Sequence, residues 1–246
     1  MRLRGGRWEM EILPERGGRI GSLRLGGREL LDQGIGVDLP GAAGFVEGGA
    51  CGWDEMVPTV DAAVWEGVSL PDHGEAWRYP WEVVSAGGDS CVMRCSGRVL
   101  PWGLERRISL GDSVRVAYQF SNRGDVPIPG YWCSHALLRY EAGMVVDVGV
   151  ELPALAEGKS GKFFLAARSV DHATLRWRDG RAVVVAWDQR VAPYCGVWIC
   201  NGDMGGYRQV AIEPATGGGD RPGSAEPAPL VAPGEAIEWW MEVRQG

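Results

Sequence analysis

What most limits the folds open to this chain is its load of turn-formers: 38 glycines and 15 prolines among 246 residues. An interior glycine costs a helix about 1 kcal/mol and a proline about 3. Long helices are therefore a poor home for such a sequence, and the chain must reverse direction often. Between the turns the apolar residues repeat with period two. From Ser113 to Phe120, Val114, Val116, Tyr118 and Phe120 fall on one side and Arg115, Ala117 and Gln119 on the other, as in a half-buried strand. Gly111-Asp112 and Asn122-Arg-Gly124 bound it with turn chemistry. Leu23 and Leu25 precede Gly26-Gly27, a two-residue turn leading into Arg28-Glu-Leu-Leu31, which is a hairpin signal.

Ala182 to Trp187 reads as a strand buried on both faces. Near the end, Trp239, Met241 and Val243 alternate with Glu238, Trp240 and Glu242. No internal repeat is present, and Gly217 to Gly223 with the Pro-Ala stretch to Pro233 reads as a long loop between late strands. Closely spaced strands without crossover helices predict an all-β fold, a large antiparallel β-sandwich formed by one domain spanning residues 1–246.

With 25 Lys+Arg against 32 Asp+Glu the formal charge is -7. A broad nucleic-acid or anionic-membrane surface needs a concentrated positive field, so neither partner is expected. Lys159 and Lys162 are the lysines; arginine carries the rest of the positive charge. The basic N-terminus is not followed by the apolar stretch of a signal peptide, and runs such as Ala182 to Trp187 are too short to span a bilayer. A cytoplasmic protein is expected. The cysteines at 51, 91, 95, 133, 195 and 200 form no Cys-x-x-Cys, and the nearest pairs, Cys91 with Cys95 and Cys195 with Cys200, have no histidine close by to complete a zinc set. They read as small buried thiols rather than metal ligands or disulfides, and no metal site is predicted.

Three clusters mix polar, aromatic and Gly/Pro residues: Gly52-Trp-Asp-Glu-Met-Val-Pro-Thr59, Leu70-Pro-Asp-His-Gly-Glu-Ala-Trp-Arg-Tyr-Pro-Trp81 and Ile212-Glu-Pro-Ala-Thr-Gly217. A fourth, Tyr131-Trp-Cys-Ser-His135, ends an apolar segment on a histidine. Alone, His73 and His135 read as acid-base candidates or as packed residues. Glu213 follows Val210, Ala211 and Ile212, where a carboxylate is costly to bury; the alternative is a strand end facing solvent. Most tryptophans read as core, although indoles also stack on sugar rings. His172 has no companion motif.

Taken in order, Gly18-Arg-Ile-Gly-Ser-Leu, Trp-Asp-Glu-Met-Val-Pro-Thr, Asp72-His-Gly-Glu-Ala-Trp-Arg, Leu100-Pro-Trp-Gly-Leu-Glu-Arg, Tyr131-Trp-Cys-Ser-His and Ile212-Glu-Pro-Ala-Thr-Gly resemble the aldose 1-epimerase (galactose mutarotase-like) family. The match extends to the Ala232-Pro-Gly-Glu235 turn and is nearest the family's uncharacterised bacterial branch. The resemblance implies a β-supersandwich with a sugar in an open groove, no metal and no cofactor. It also implies two histidines and one glutamate around the anomeric carbon: His73 matches the first histidine, His135 the second, and Glu213 the catalytic glutamate. Ala136 stands where the family often has proline, and Asp188 is the candidate for its substrate-binding aspartate. Arg78, and Trp77 and Trp132 as the tryptophans nearest the two histidines, are the further sugar-contact candidates.

The implied chemistry suits these residue types. Opening a cyclic hemiacetal takes a proton from the anomeric hydroxyl and gives one to the ring oxygen, so a carboxylate base and an imidazolium acid suffice. His135 is expected as the acid and His73 as a hydrogen-bonding partner of the sugar. Three rivals remain at this level: a non-catalytic sugar-binding or regulatory protein, a glycoside hydrolase drawing a carboxylate pair from Glu55, Glu75 and Glu213, and a sugar-phosphate mutarotase with Arg19 and Arg78 as the phosphate clamp.

Overall fold

Alternation and turn chemistry become strands throughout. A computed structural model of the chain describes residues 1–36 and 44–246. The first strands are β1 (Arg2–Gly5), β2 (Trp8–Leu13), β3 (Arg19–Leu25), β4 (Arg28–Glu29) and β5 (Trp53–Met56). Then come β6 (Ala63–Trp65), β7 (Val68–Leu70), β8 (Glu82–Ala86), β9 (Ser90–Ser96), β10 (Trp102–Leu110) and β11 (Ser113–Asn122). The middle holds β12 (Ile128–Pro129), β13 (Cys133–Arg139), β14 (Val145–Asp147), β15 (Lys159–Leu165) and β16 (His172–Arg176). The last are β17 (Ala182–Trp187), β18 (Tyr194–Asn201), β19 (Arg208–Ala215), β20 (Leu230–Val231) and β21 (Ala236–Gln245). The described residues contain no helix, and so none long and apolar enough to cross a membrane.

One nine-stranded sheet runs β1-β2-β3-β5-β13-β19-β18-β15, with β4 paired to β3; the other, of eight strands, runs β14-β16-β17-β21-β11-β10-β9-β8. Every pairing is antiparallel. The sandwich expected from the sequence is therefore observed, including the β3–β4 hairpin, where Gly26 and Gly27 both have positive φ (59° and 81°) as a tight primed turn requires. Between the sheets lies the main core, to which the first contributes Trp8, Ile12, Trp53 and Ile212 and the second Leu104, Val116, Phe120 and Trp239. The opposite face of the first sheet carries a second apolar cluster with Met56, Cys133, Leu137 and Ala211, covered by Phe45 and Trp77 from loops. The cysteines are free thiols, buried except for half-buried Cys51.

One polar knot lies in the main core. Glu55 accepts bonds from Arg106 Nη1 (3.0 Å), Tyr118 Oη (2.9 Å) and Trp132 Nε1 (2.7 Å), and the guanidinium lies over the Trp81 ring. Removing one partner of a buried pair strands the other charge, which costs about 3–5 kcal/mol. Arg106→Met is therefore expected to lower the urea midpoint by an amount equivalent to that loss, with the slope of the transition preserved.

Candidate active site

The site is built by the register of the first sheet. Ile20 of β3 faces Trp53 of β5, so the preceding and following residues, Arg19 and Asp54, sit opposite one another. Asp54 in turn faces His135 of β13. Between β13 and β19, Cys133 faces Ala215 and Ala136 faces Ile212, which sets His135 against Glu213; beyond it Glu213 faces Gly196 of β18. Arg19, Asp54, His135 and Glu213 thus form a transverse row on the face opposite the main core, and all four are buried.

The row is polar and held at both ends. Arg19 donates through Nε to Asp54 (3.0 Å to Oδ2), reaches Oδ2 again through Nη2 at 2.9 Å and gives Nη1 to Gly49 O at 2.8 Å. His135 Nε2 lies 3.7 Å from Glu213 Oε1, while Nδ1 has no hydrogen-bond partner among the described residues. On the far side of Glu213, Lys162 Nζ of β15 lies 2.7 Å from Oε2 and 2.5 Å from Asp220 Oδ1.

His73 comes from the loop that follows β7 and is placed by the glycine after it. Gly74 adopts φ +67° and packs so closely that an added Cβ would stand 2.2 Å from Val57 O. Glu75 donates its N–H to that same oxygen at 2.7 Å, and His73, itself at φ 56°, donates its N–H to Val60 O. The ring then stacks on Phe45 (centroids 4.5 Å, 8°) and meets the His135 ring edge-on at 5.6 Å. Phe45 also meets His135 and Trp77 edge-on, both at 5.1 Å. Asp72 Oδ2 holds His73 Nδ1 at 2.7 Å, which fixes the ring orientation.

Burial dominates the titration of the central pair. It drives the His135 imidazole well below its ordinary 6.5, helped by the positive fields of His73, Lys162 and Arg19. Burial likewise raises the Glu213 carboxyl above its ordinary 4.5, against the pull of Lys162. The two affinities for a proton are thereby pressed towards each other.

Of the residues singled out from sequence, His73, His135 and Glu213 come together. Trp77 joins them through Phe45, and Arg78 lies with its guanidinium 4.5 Å from the Trp77 ring centroid and donates to Gly74 O. Trp132 and Asp188 do not join. Trp132 is three residues from His135 along an extended chain, so it faces the opposite way; it packs in the main core against Tyr118 and Trp239 and bonds Glu55. Asp188 follows β17 in the other sheet, holds Arg190 at 2.8 Å and lines a hollow of about 210 Å³ with Glu105, Arg115 and Trp240. Sequence reasoning missed Phe45, Asp54, Lys162 and Asp220. Asp54 stood in a motif already marked; Lys162 carried only the signal of lysine being scarce.

No family model and no curated protein matches the sequence. Solved structures do. The Slr1438 protein of Synechocystis sp. PCC 6803 superposes with a TM-score of 0.81 at 17% identity, over 100% of this chain and 95% of that one. A galactose mutarotase-like protein from Lactobacillus casei ATCC 334 gives 0.75 at 14%, over 100% and 99%. A galactose mutarotase related enzyme from Lactobacillus acidophilus gives 0.75 at 15%, over 100% and 97%. The fold is that of the galactose mutarotase-like proteins. In this galactose mutarotase-like sandwich the indole of residue 132 is a structural donor. Trp132→Phe, which removes the bond to Glu55, is expected to cost about 1–3 kcal/mol of stability while the imidazole resonances of His73 and His135 stay in place. Displaced resonances would show that Trp132 reaches the site after all.

Proposed function

We propose that this protein is a mutarotase that interconverts the α and β anomers of an aldose by ring opening and reclosure. The observation that carries the reading is the facing pair on adjacent strands, Glu213 Oε1 and His135 Nε2 at 3.7 Å, with His73 edge-on to His135. A carboxylate, an imidazole and a second imidazole grouped on one face are what hemiacetal opening asks for. The likeness to galactose mutarotase-like structures supports it.

In this reading Glu213 takes the proton of the anomeric hydroxyl, the O–H pair forms the C1 carbonyl, and the C1–O5 bond breaks as His135 protonates the ring oxygen. Rotation about C1–C2 followed by the reverse transfers gives the other anomer and returns both groups to their starting states. His73 hydrogen-bonds the bound sugar. Phe45 and Trp77 supply apolar wall and Arg78 a polar edge. The reaction calls for neither metal nor cofactor, and the enzyme works in the cytoplasm on a small sugar.

The charges favour an unphosphorylated aldose. Arg19 is engaged with Asp54, and Lys162 with Glu213 and Asp220, so these cations are matched by carboxylates rather than offered to a phosphate, while Arg78, the other clamp candidate, donates to the carbonyls of Gly74 and Asp72. A glycosidase carboxylate pair is not supported either: Glu55 is taken up by Arg106 in the core, and Glu75 accepts the backbone N–H groups of Arg98 and Val99. The non-catalytic alternative predicts sugar binding without exchange.

Anomer-exchange NMR over a panel of free and phosphorylated aldoses tests this directly. Glu213→Gln keeps the outline and removes the base, so kcat is expected to fall about 100- to 10,000-fold; survival within a few-fold would sink the assignment. His135→Asn should lower mainly kcat, whereas His73→Asn should also raise KM, because it removes a contact present before the transition state. The reverse pattern would exchange the two roles.

The pH dependence follows from the two displacements. Activity needs one proton on the pair: Glu213 ionised and His135 protonated. Raising Glu213 above 4.5 brings the acid limb upward, and lowering His135 below 6.5 brings the alkaline limb downward. A bell in kcat/KM narrower than that of an ordinary Glu–His pair is expected, after subtraction of the uncatalysed rate. Activity that persists undiminished to about pH 8, well above the ordinary imidazole range, would contradict it.

A further inference from the structure

Glu213 is clasped from behind by a residue that no motif marks. We propose that Lys162 is a positioning residue for Glu213: its ammonium anchors Oε2, so that Oε1 alone faces His135 and the sugar. This rests on the mutarotase reading for its purpose and on geometry for its substance. Nζ stands 2.7 Å from Oε2, and Asp220 Oδ1 holds the same ammonium at 2.5 Å from the other side.

Three features of the surroundings are shaped for this contact. The β18 residue facing Glu213 is Gly196, where an added Cβ would stand 3.0 Å from Lys162 Cε and 3.1 Å from Glu213 Oε2. A Cβ there would crowd both side chains, whereas the bare backbone leaves the lysine room to cross β18 from the edge strand β15. Asp220 is held by its backbone, whose carbonyl accepts N–H bonds from Val60 (3.0 Å) and Asp61 (2.9 Å). Tyr131 ties down the preceding turn by donating to Gly219 O at 2.8 Å.

The residue type matters. Arginine forks onto both oxygens of a carboxylate, whereas a lysine ammonium is a point charge that can satisfy one and leave the other free. In a chain whose other lysine is Lys159 and whose remaining cations are arginines, a lysine here is the type that leaves Oε1 to do chemistry. Burial alone would lower the ammonium's affinity for its proton; Glu213 and Asp220 more than reverse this, so Lys162 stays charged at any working pH.

The groups around Glu213 come from every side: Cys133 and His135 on β13, Lys162 on β15, Asp220 and Tyr131 from loops and His73 above, with Cys195 of β18 beneath it on the main-core face of the sheet. Burial pushes the Cys133 and Cys195 thiols and the Tyr131 phenol far up, so they stay neutral. Against the burial that raises Glu213, Lys162 and His73 favour its ionised form, whereas Asp220 opposes it.

Two readouts in Lys162→Met and Lys162→Arg test the proposal: the kcat/KM pH profile, and the ¹³C-carboxyl titration of Glu213 identified by its loss in Glu213→Gln. Losing an opposite charge at this range should raise the Glu213 midpoint in the Met variant by about 1–3 pH units, and the acid limb should follow. The Arg variant restores charge but forks onto both oxygens, so the limb should return towards its original position while kcat stays about 10- to 100-fold low. An unmoved midpoint in Lys162→Met, or a rate lowered equally at all pH values, overturns the proposal. Should the Met variant not fold, the Arg variant decides: low kcat with the limb in place supports it, and unchanged kcat overturns it. A midpoint shift in a protein that exchanges no anomers of any sugar would uphold the hold of Lys162 on Glu213 and refute the mutarotase reading.

Discussion

The whole site depends on strand register. Arg19, Asp54, His135 and Glu213 are scattered over nearly 200 residues of sequence, yet antiparallel pairing lays them side by side as neighbours on four consecutive strands. Because side chains alternate faces, a slip of one residue in any of these strands would send its member of the row into the apolar core. The apolar alternation that builds the sandwich is therefore also what aligns the chemistry. Charge adds to this alignment. Along the row a cation, a carboxylate, an imidazole and a second carboxylate follow one another, and Lys162 closes the end. Each anion has a cation beside it, which is the condition for burying them at all.

Asp54 and Glu55 show how one strand serves both faces. As adjacent residues of β5 they point oppositely, and both are buried. Asp54 takes Arg19 on the site face, while Glu55 takes Arg106, Tyr118 and Trp132 in the main core. The Glu55 knot joins β5 and the segment entering β13 in one sheet to β10 and β11 in the other. It thereby ties the two strands that carry Asp54 and His135 to the body of the sandwich. Rigidity at His135 is thus supported from beneath by a network that never touches the site.

Much of this was legible in the sequence. Turn chemistry and period-two alternation specify strands such as β11 and β21 because both signals are local. The three residues of the central cluster were found through motif order, since nothing local distinguishes Glu213 from a solvent-facing strand end; its burial comes from loops supplied by distant segments. The choice of Trp132 failed on a point the sequence does contain: an odd offset from His135 along a strand means opposite faces. Lys162 was not legible, because its significance arises from Gly196 on the next strand and Asp220 beyond the one after it, and neither signal exists until the strands are paired.

Burial of the central pair fits a reaction that regenerates its own catalysts. In a hydrolysis, water must enter as a reactant and protons must finally be exchanged with solvent, so a base sealed in the protein would be a handicap. The anomer exchange proposed here would consume nothing: a proton removed by Glu213 on opening would return to oxygen on closing, and one given by His135 to the ring oxygen would come back. A carboxylate and an imidazole can therefore be held almost wholly away from water. There their electrostatic coupling is strongest. The cost is that their affinities for a proton are driven together, which narrows the pH range in which the reactive distribution exists. The anchoring of Oε2 by Lys162 opposes that narrowing from the carboxylate side, because it favours the ionised form that burial disfavours.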